Sequence, residues 1–300
     1  MPLRPFTIGG LLDEPFVLFR RDLRLILLIA AVVVVPLQVL LASLQGPVLA
    51  GLGMGDIIDD PVSAQLALTT AGDQGFVMGW LISTAVGILV LPLINGLIAR
   101  LAVSRVLGEQ VDGTSIRHAT MPRWGTLVGA SVLTGLLTYG LIGLGVGIGV
   151  LWSDAVGISL AVILVLVGIP VGVAAYVLLA VTPVVVVVEG VAPVAALRRS
   201  AQLVRARFWS VLGVLLLAAV VAGLVNMAVA TIPTYMALFT PGAVATVFMG
   251  AGELLAAMVT TPYLILLTVT VYLDARIRRE GLDVEILADT ARGGERASAG

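Results

Sequence analysis

The chain has 300 residues, 59% of them hydrophobic and 12% charged, with a net charge of −1 and a mean hydropathy of +1.12. Soluble domains carry about 25% charged residues, so half that share, gathered into a few places, points to a polytopic membrane protein. With no Cys and one His, His118, the sequence excludes disulfides, thiol chemistry and a histidine metal cluster within one chain, and its near-neutral charge gives no basic field for nucleic acid.

About 20 apolar residues cross a bilayer core as a helix. Six such runs predict six transmembrane helices in an all-α fold, at 25–44, 76–99, 125–151, 156–181, 211–230 and 245–273. All 17 basic residues are arginines, and they fall in alternate connections. Arg4, Arg20, Arg21 and Arg24 precede the first run. Arg100, Arg105, Arg117 and Arg123 follow the second, Arg198, Arg199, Arg205 and Arg207 follow the fourth, and Arg276, Arg278, Arg279, Arg292 and Arg296 follow the sixth. The other connections hold Asp56, Asp59, Asp60, Asp73 and Asp154 and no base. The positive-inside rule then places both termini in the cytoplasm. The arginine-only, Ala/Val/Gly-rich composition points to a high-GC bacterium and hence to its inner membrane. No cleavable signal peptide is expected. The organisation reads as an N-terminal amphipathic elbow (1–24), a six-helix membrane domain (25–287) and a small, polar tail (288–300) expected to be disordered.

In the first segment Ile8, Leu12, Phe16, Phe19 and Leu23 recur at helical spacing. Thr7 suits an N-cap, and Pro15 is expected to bend or restart the helix near Asp13. The helix fits the inner leaflet surface, or equally a groove on the protein's own cytoplasmic side. Asp56, Asp59 and Asp60 lie in a long acidic connection that matches no calcium-loop pattern. The second run carries Pro92 and Asn95, and 106–123 reads as a polar loop in which His118 is solvated.

Gly140, Gly143, Gly145, Gly147 and Gly149 lie inside the third apolar run, without the strand that a dinucleotide fingerprint requires. Gly143/Gly147, Gly145/Gly149 and Gly168/Gly172 have the small-xxx-small spacing of close helix packing. The third and fourth runs form a tight hairpin around Asp154. Residues 156–188 as one helix would measure about 50 Å at 1.5 Å per residue, too long for a core of about 30 Å. With Pro170 and Pro183 available to kink or stop the helix, 184–188 is expected to be extended or re-entrant, or the helix strongly tilted. Residues 231–242, with Pro233, Tyr235, Phe239 and Pro241, are expected to dip along the outer interface, anchored by Tyr235.

Leu18-Phe19-Arg20-Arg21-Asp22-Leu23 leads into the first run and Leu203-Val204-Arg205-Ala206-Arg207-Phe208 into the fifth. Arg123-Trp124 precedes the third as Phe208-Trp209 opens the fifth. An arginine elbow followed by a transmembrane hairpin, three times over, is the implied pseudo-repeat. Three segments carry a family likeness: Thr7-Ile-Gly-Gly-Leu-Leu-Asp with Phe19-Arg20-Arg21; Glu189-Gly-Val-Ala-Pro-Val-Ala-Ala-Leu-Arg-Arg-Ser with Leu203-Val204-Arg205 and Phe208-Trp209; and Tyr272-Leu-Asp-Ala-Arg-Ile-Arg-Arg-Glu-Gly281. They resemble the six-span bacterial membrane domain found fused to glycerophosphodiester phosphodiesterases, and found alone in other membrane proteins. The resemblance implies fold and membrane location. It does not carry over hydrolase activity, because that chemistry belongs to a separate barrel with paired histidines.

Glu253, Asn95 and Asn226 fall in or near apolar runs, where polar groups are functional candidates. Glu253 suits a proton, cation or headgroup site, or a structural place at the interface. Asn95 and Asn226 suit hydrogen bonds between helices. Glu189 stands beside Arg198, Arg199 and Arg205, either as a salt bridge holding the elbow or with the arginines clamping a lipid phosphate, as Arg20 and Arg21 would at the first elbow. No catalytic set, metal site or cofactor is expected. The expected function is a non-enzymatic membrane protein that engages phospholipids, a membrane-protein partner or a second copy of itself, in membrane organisation or lipid handling. The alternative is a small secondary transporter or permease subunit that uses Glu253 and helices kinked at Pro92 and Pro262.

Overall fold

The computed structural model describes residues 8–51, 75–106, 113–152, 154–240 and 243–280, and among these it contains helices and no strand. In chain order they are α1 (Ile8–Arg21), α2 (Leu23–Gly51), α3 (Gly75–Val106), α4 (Gly113–Thr120) with a 3-10 turn (Met121–Arg123), α5 (Trp124–Leu151), α6 (Ala155–Leu179), α7 (Thr182–Glu189), α8 (Pro193–Arg205), α9 (Phe208–Leu238) and α10 (Ala243–Glu280). Among the described residues five stretches are long and apolar enough to cross a membrane: Ala85–Val106, Gly113–Gly149, Ala155–Glu189, Phe208–Ala237 and Gly250–Arg279. Leu23–Leu37 is a shorter apolar helix. By helix length and composition the chain is a multi-pass membrane protein.

α5 pairs with α6 and α9 with α10 as antiparallel hairpins, and α2 packs on α3. α10 is the central helix, in contact with α1, α2, α3, α7, α8 and α9. Between Ile265 and Ile277 it is buried nearly all round, Asp274 included. The core lies towards the arginine-bearing ends, where Ile94, Ile98, Leu127, Val181, Val184–Val187, Val204 and Tyr272 have almost no accessible surface. Ion pairs and carbonyl contacts made by Arg105, Arg123, Arg199, Arg207 and Arg279 draw the ends of α3, α7, α8, α9 and α10 together there.

At the other end, Asp154 caps α6, its carboxylate accepting the Gly157 N–H at 2.7 Å. Glycines bring α5 and α6 close. A β-carbon at Gly145 would stand 3.0 Å from the Ala161 carbonyl oxygen, and one at Gly172 would stand 2.4 Å from the Thr138 carbonyl oxygen. Gly149 and Gly168 are similarly crowded, whereas Gly143 and Gly147 have nothing within 4 Å. Only two of the three glycine pairs therefore serve this packing.

Several expectations are corrected. Pro15 is inside a continuous α1, and the break falls instead at Asp22. The helix packs through Leu11, Pro15, Leu18 and Phe19 against α10 and α9, with Phe16 and Leu23 exposed, so the true face is rotated from the one read by spacing. His118 is on α4 rather than in a loop. Residues 184–188 are helical: the chain turns at Ala180–Val181 and restarts as α7 with Pro183 in its first turn. A helix satisfies its backbone groups within the segment, which an extended strand buried among helices cannot do. Residues 231–238 likewise continue α9 through Pro233. Thr7, Asp56, Asp59, Asp60, Asp73, Pro241 and the tail lie outside the described residues.

Candidate functional site

α7 ends at Gly190, whose left-handed backbone (φ +67°) closes the last turn through its N–H to the Val186 carbonyl at 3.1 Å. Pro193 then opens α8, where a missing N–H costs nothing. Arg123 donates to the Val187 carbonyl, so a cation meets the free carbonyls and negative dipole end of α7. α8 buries Ala196, Leu197, Ser200, Leu203 and Val204, and Ser200 donates to the Leu178 carbonyl at 2.8 Å. Its outer face carries Arg198 and Arg205.

The turn brings Glu189 against α8 and α10. Its carboxylate accepts from Arg199 Nε at 3.2 and 3.1 Å and from the Tyr272 hydroxyl at 3.1 Å. The Arg276 guanidinium stands 5.9 Å from the centroid of the Tyr272 ring. Two residues along α10, Asp274 is 4% exposed and receives Arg207 Nη1 at 2.5 Å and Arg278 Nε at 2.9 Å. Arg279 donates to the Gln202 carbonyl, and Arg105 pairs with Asp22 at 3.1 Å. A carboxylate buried this far persists only when paired and hydrogen-bonded. These contacts lock α7, α8 and the start of α9 onto α10.

The arginines thus divide in two. Arg199, Arg207, Arg276, Arg278, Arg279, Arg105 and Arg123 are committed to internal contacts. Arg20, Arg21, Arg24, Arg117, Arg198 and Arg205 are exposed and Arg100 is half-buried, and among the described residues no carboxylate pairs with them. Arg20 stands over the Phe16 ring at 5.7 Å.

A cavity of about 450 Å³ opens one turn of α10 beyond Tyr272. Asn95 of α3, Ser131, Thr134, Thr138 and Tyr139 of α5, Tyr176 of α6, Thr182 of α7, and Thr261 and Thr268 of α10 supply its polar wall. Several hydroxyls in the long helices bond a carbonyl of their own helix: Ser159 to Ala155, Thr231 to Met227, Thr260 to Ala256 and Thr268 to Ile265. Thr134, Thr138 and Thr182 do not, although each Oγ1 is buried. An unpaired buried hydroxyl costs about 1–3 kcal/mol.

Of the residues singled out in the sequence, Glu189 and Arg199 come together, and Asn95 lies half-buried on the cavity wall. Glu253 is exposed on α10 and Asn226 exposed on α9, neither in the cavity wall. Sequence reading missed Tyr272, Asp274 and Arg207 as partners, and missed the threonines. The spacing of Ser131, Thr134 and Thr138, one face of a helix inside an apolar run, was the available signal. Comparison with family models, with curated proteins and with solved structures finds no match to this chain.

Proposed function

We propose that this is a non-enzymatic, six-span bacterial inner-membrane protein that engages phospholipids. In this reading it belongs to the membrane-domain family found fused to glycerophosphodiester phosphodiesterases, α2 adds the first of the six spans to the five above, both termini are cytoplasmic, and the elbow–hairpin unit repeats three times. The order of the helices supports the repeat: α1, α4 and α8 each precede a pair of long helices.

The observation that carries the lipid reading is the division of the arginines. Six exposed guanidinium groups, Arg20 and Arg21 on α1, Arg24 at the start of α2, Arg117 on α4 and Arg198 and Arg205 on α8, have no carboxylate partner among the described residues, while Arg199 and Arg207 are consumed in structural pairs. A guanidinium fork suits phosphate oxygens, and each cation beside an anionic leaflet contributes about 1 kcal/mol. Lipid mass spectrometry of protein purified in mild detergent tests this. Replacing Arg20, Arg21, Arg198 and Arg205 together by Ala should lower co-purified anionic phospholipid and leave zwitterionic lipid unchanged; an unchanged anionic fraction would refute the reading. Arg199 is unsuitable for that test because its loss breaks the pair with Glu189. The transporter alternative draws less support, since Glu253 stands apart from the cavity.

A further inference from the structure

The cavity described above differs from the arginine surface in every respect that decides what it binds. Among the described residues its wall contains no acidic residue and no basic one. Along α5 it runs from Ala130 to Tyr139, about 9 to 22 Å from Trp124 at 1.5 Å per residue, within a stretch long and apolar enough to span a membrane. Its rim is formed by Leu91, Tyr139 and Tyr176, which are 42%, 62% and 49% exposed. A surface exposed at that level of a multi-pass protein faces lipid rather than water. The interior holds three of the five buried, unpaired hydroxyls among the described residues, Ser104 and Thr120 lying elsewhere: Thr138 is 6% exposed and Thr182 1%, and neither finds a hydrogen-bond partner. Thr182 opens α7, so it has no carbonyl one turn back within its own helix. Thr134 and Thr138 have such carbonyls and do not use them.

We propose that this cavity binds a membrane-dissolved amphiphile whose head is uncharged and carries a hydroxyl or carbonyl. The head enters between Tyr139 and Tyr176 and hydrogen-bonds to Ser131, Thr134, Thr138, Thr182 and Asn95. Its apolar body stays among Leu91, Leu264 and the lipid-facing surface. A charged head is disfavoured, because nothing in the wall compensates a charge taken out of water. The volume falls within the range of ligand sites, about 300–1,000 Å³. This goes beyond the phospholipid reading and stands on different residues.

Photolabelling of the full chain in phosphatidylcholine vesicles tests it. The probes are diazirine-bearing hexadecanol, hexadecyl sulfate and hexadecyltrimethylammonium, which share one chain and differ in the charge of the head. The alcohol should label 130–139, 176–184 and 261–268 several-fold above both charged probes, and unlabelled hexadecanol should compete. Equal labelling by all three, as a cavity filled by water or lipid tails would give, overturns the proposal. Displacement of the alcohol by millimolar sorbitol also overturns it, by showing that the site takes a water-borne solute. Replacing Thr134, Thr138 and Thr182 together by Val should cut specific labelling by about tenfold. It should leave the melting midpoint of the unlabelled protein no lower, since these hydroxyls have no partners to lose. Should that variant fail to fold, Ser131→Ala and Asn95→Leu decide, each expected to lower labelling several-fold; undiminished labelling in both refutes the site. Loss of Arg20, Arg21, Arg198 and Arg205 should not change labelling, which separates this proposal from the phospholipid one.

Discussion

Asp274→Asn removes one charge from the most deeply buried carboxylate at the arginine-bearing end and preserves its shape. Two guanidinium contacts depend on that charge, from Arg207 at 2.5 Å and Arg278 at 2.9 Å. The substituted amide can still accept from one of them, but its NH2 then faces the other cation. Hydrogen bonds to charged groups contribute about 1.5–3 kcal/mol each. The arginine side chains are 33% and 34% exposed, so water recovers part of that and the lower figure applies. The expected loss is about 2–3 kcal/mol, or about 5 °C in the unfolding midpoint for a chain of this size. Intrinsic tryptophan fluorescence in detergent reads the midpoint, with parent and variant heated at one rate because unfolding of such proteins is seldom reversible. Exposed Glu253→Gln is the matched control and should not move it. Combining Asp274→Asn with Arg207→Ala should cost less than the sum of the two singles, as residues in one pair must. A midpoint for Asp274→Asn within about 1 °C of the parent would refute the view that this joint holds α9 and α8 on α10.

Gly172→Ala should destabilise by about 1–3 kcal/mol, because its β-carbon would stand 2.4 Å from the Thr138 carbonyl oxygen. Gly143→Ala, with nothing within 4 Å, should be neutral or slightly stabilising through helix propensity in the same melting assay. Gly190→Ala should cost about 1–2 kcal/mol, since it forces a β-carbon into a left-handed conformation. That β-carbon would also lie 3.0 Å from Arg123 Nη2, so proteolysis between α7 and α8 should accelerate; an unchanged cleavage rate would contradict the closing role given to that turn.

The arginine pairs and the cavity suggest a division of labour along α10. Its last turns fasten the elbow helices, while the turns from Thr261 to Thr268 line a neutral chamber. Tyr272 stands between the two, with its hydroxyl committed to Glu189.

The sequence by itself determined what depends on local chemistry. A run of about 20 apolar residues must become a helix in lipid, because no water is there to satisfy its backbone. The α5–α6 hairpin at Asp154 and the alternation of arginine-bearing connections were legible for that reason, whereas the break at Ala180–Val181 and the helix that restarts through Pro183 were not. Tertiary structure decided which equivalent group meets which. Arg207 and Asp274 lie 67 residues apart and Glu189 and Tyr272 lie 83 apart, and no periodicity links such pairs. The sequence offered three arginines of α8, Arg198, Arg199 and Arg205, with equal claim on Glu189, and the turn at Gly190 selects Arg199. The same holds for the glycines of α5: alternate spacing made Gly143/Gly147 and Gly145/Gly149 equal candidates, and the rotation of α5 against α6 uses only the second pair. The cavity is the extreme case, since its wall draws single faces from α3, α5, α6, α7 and α10, and a void is a property of their packing that no one segment encodes.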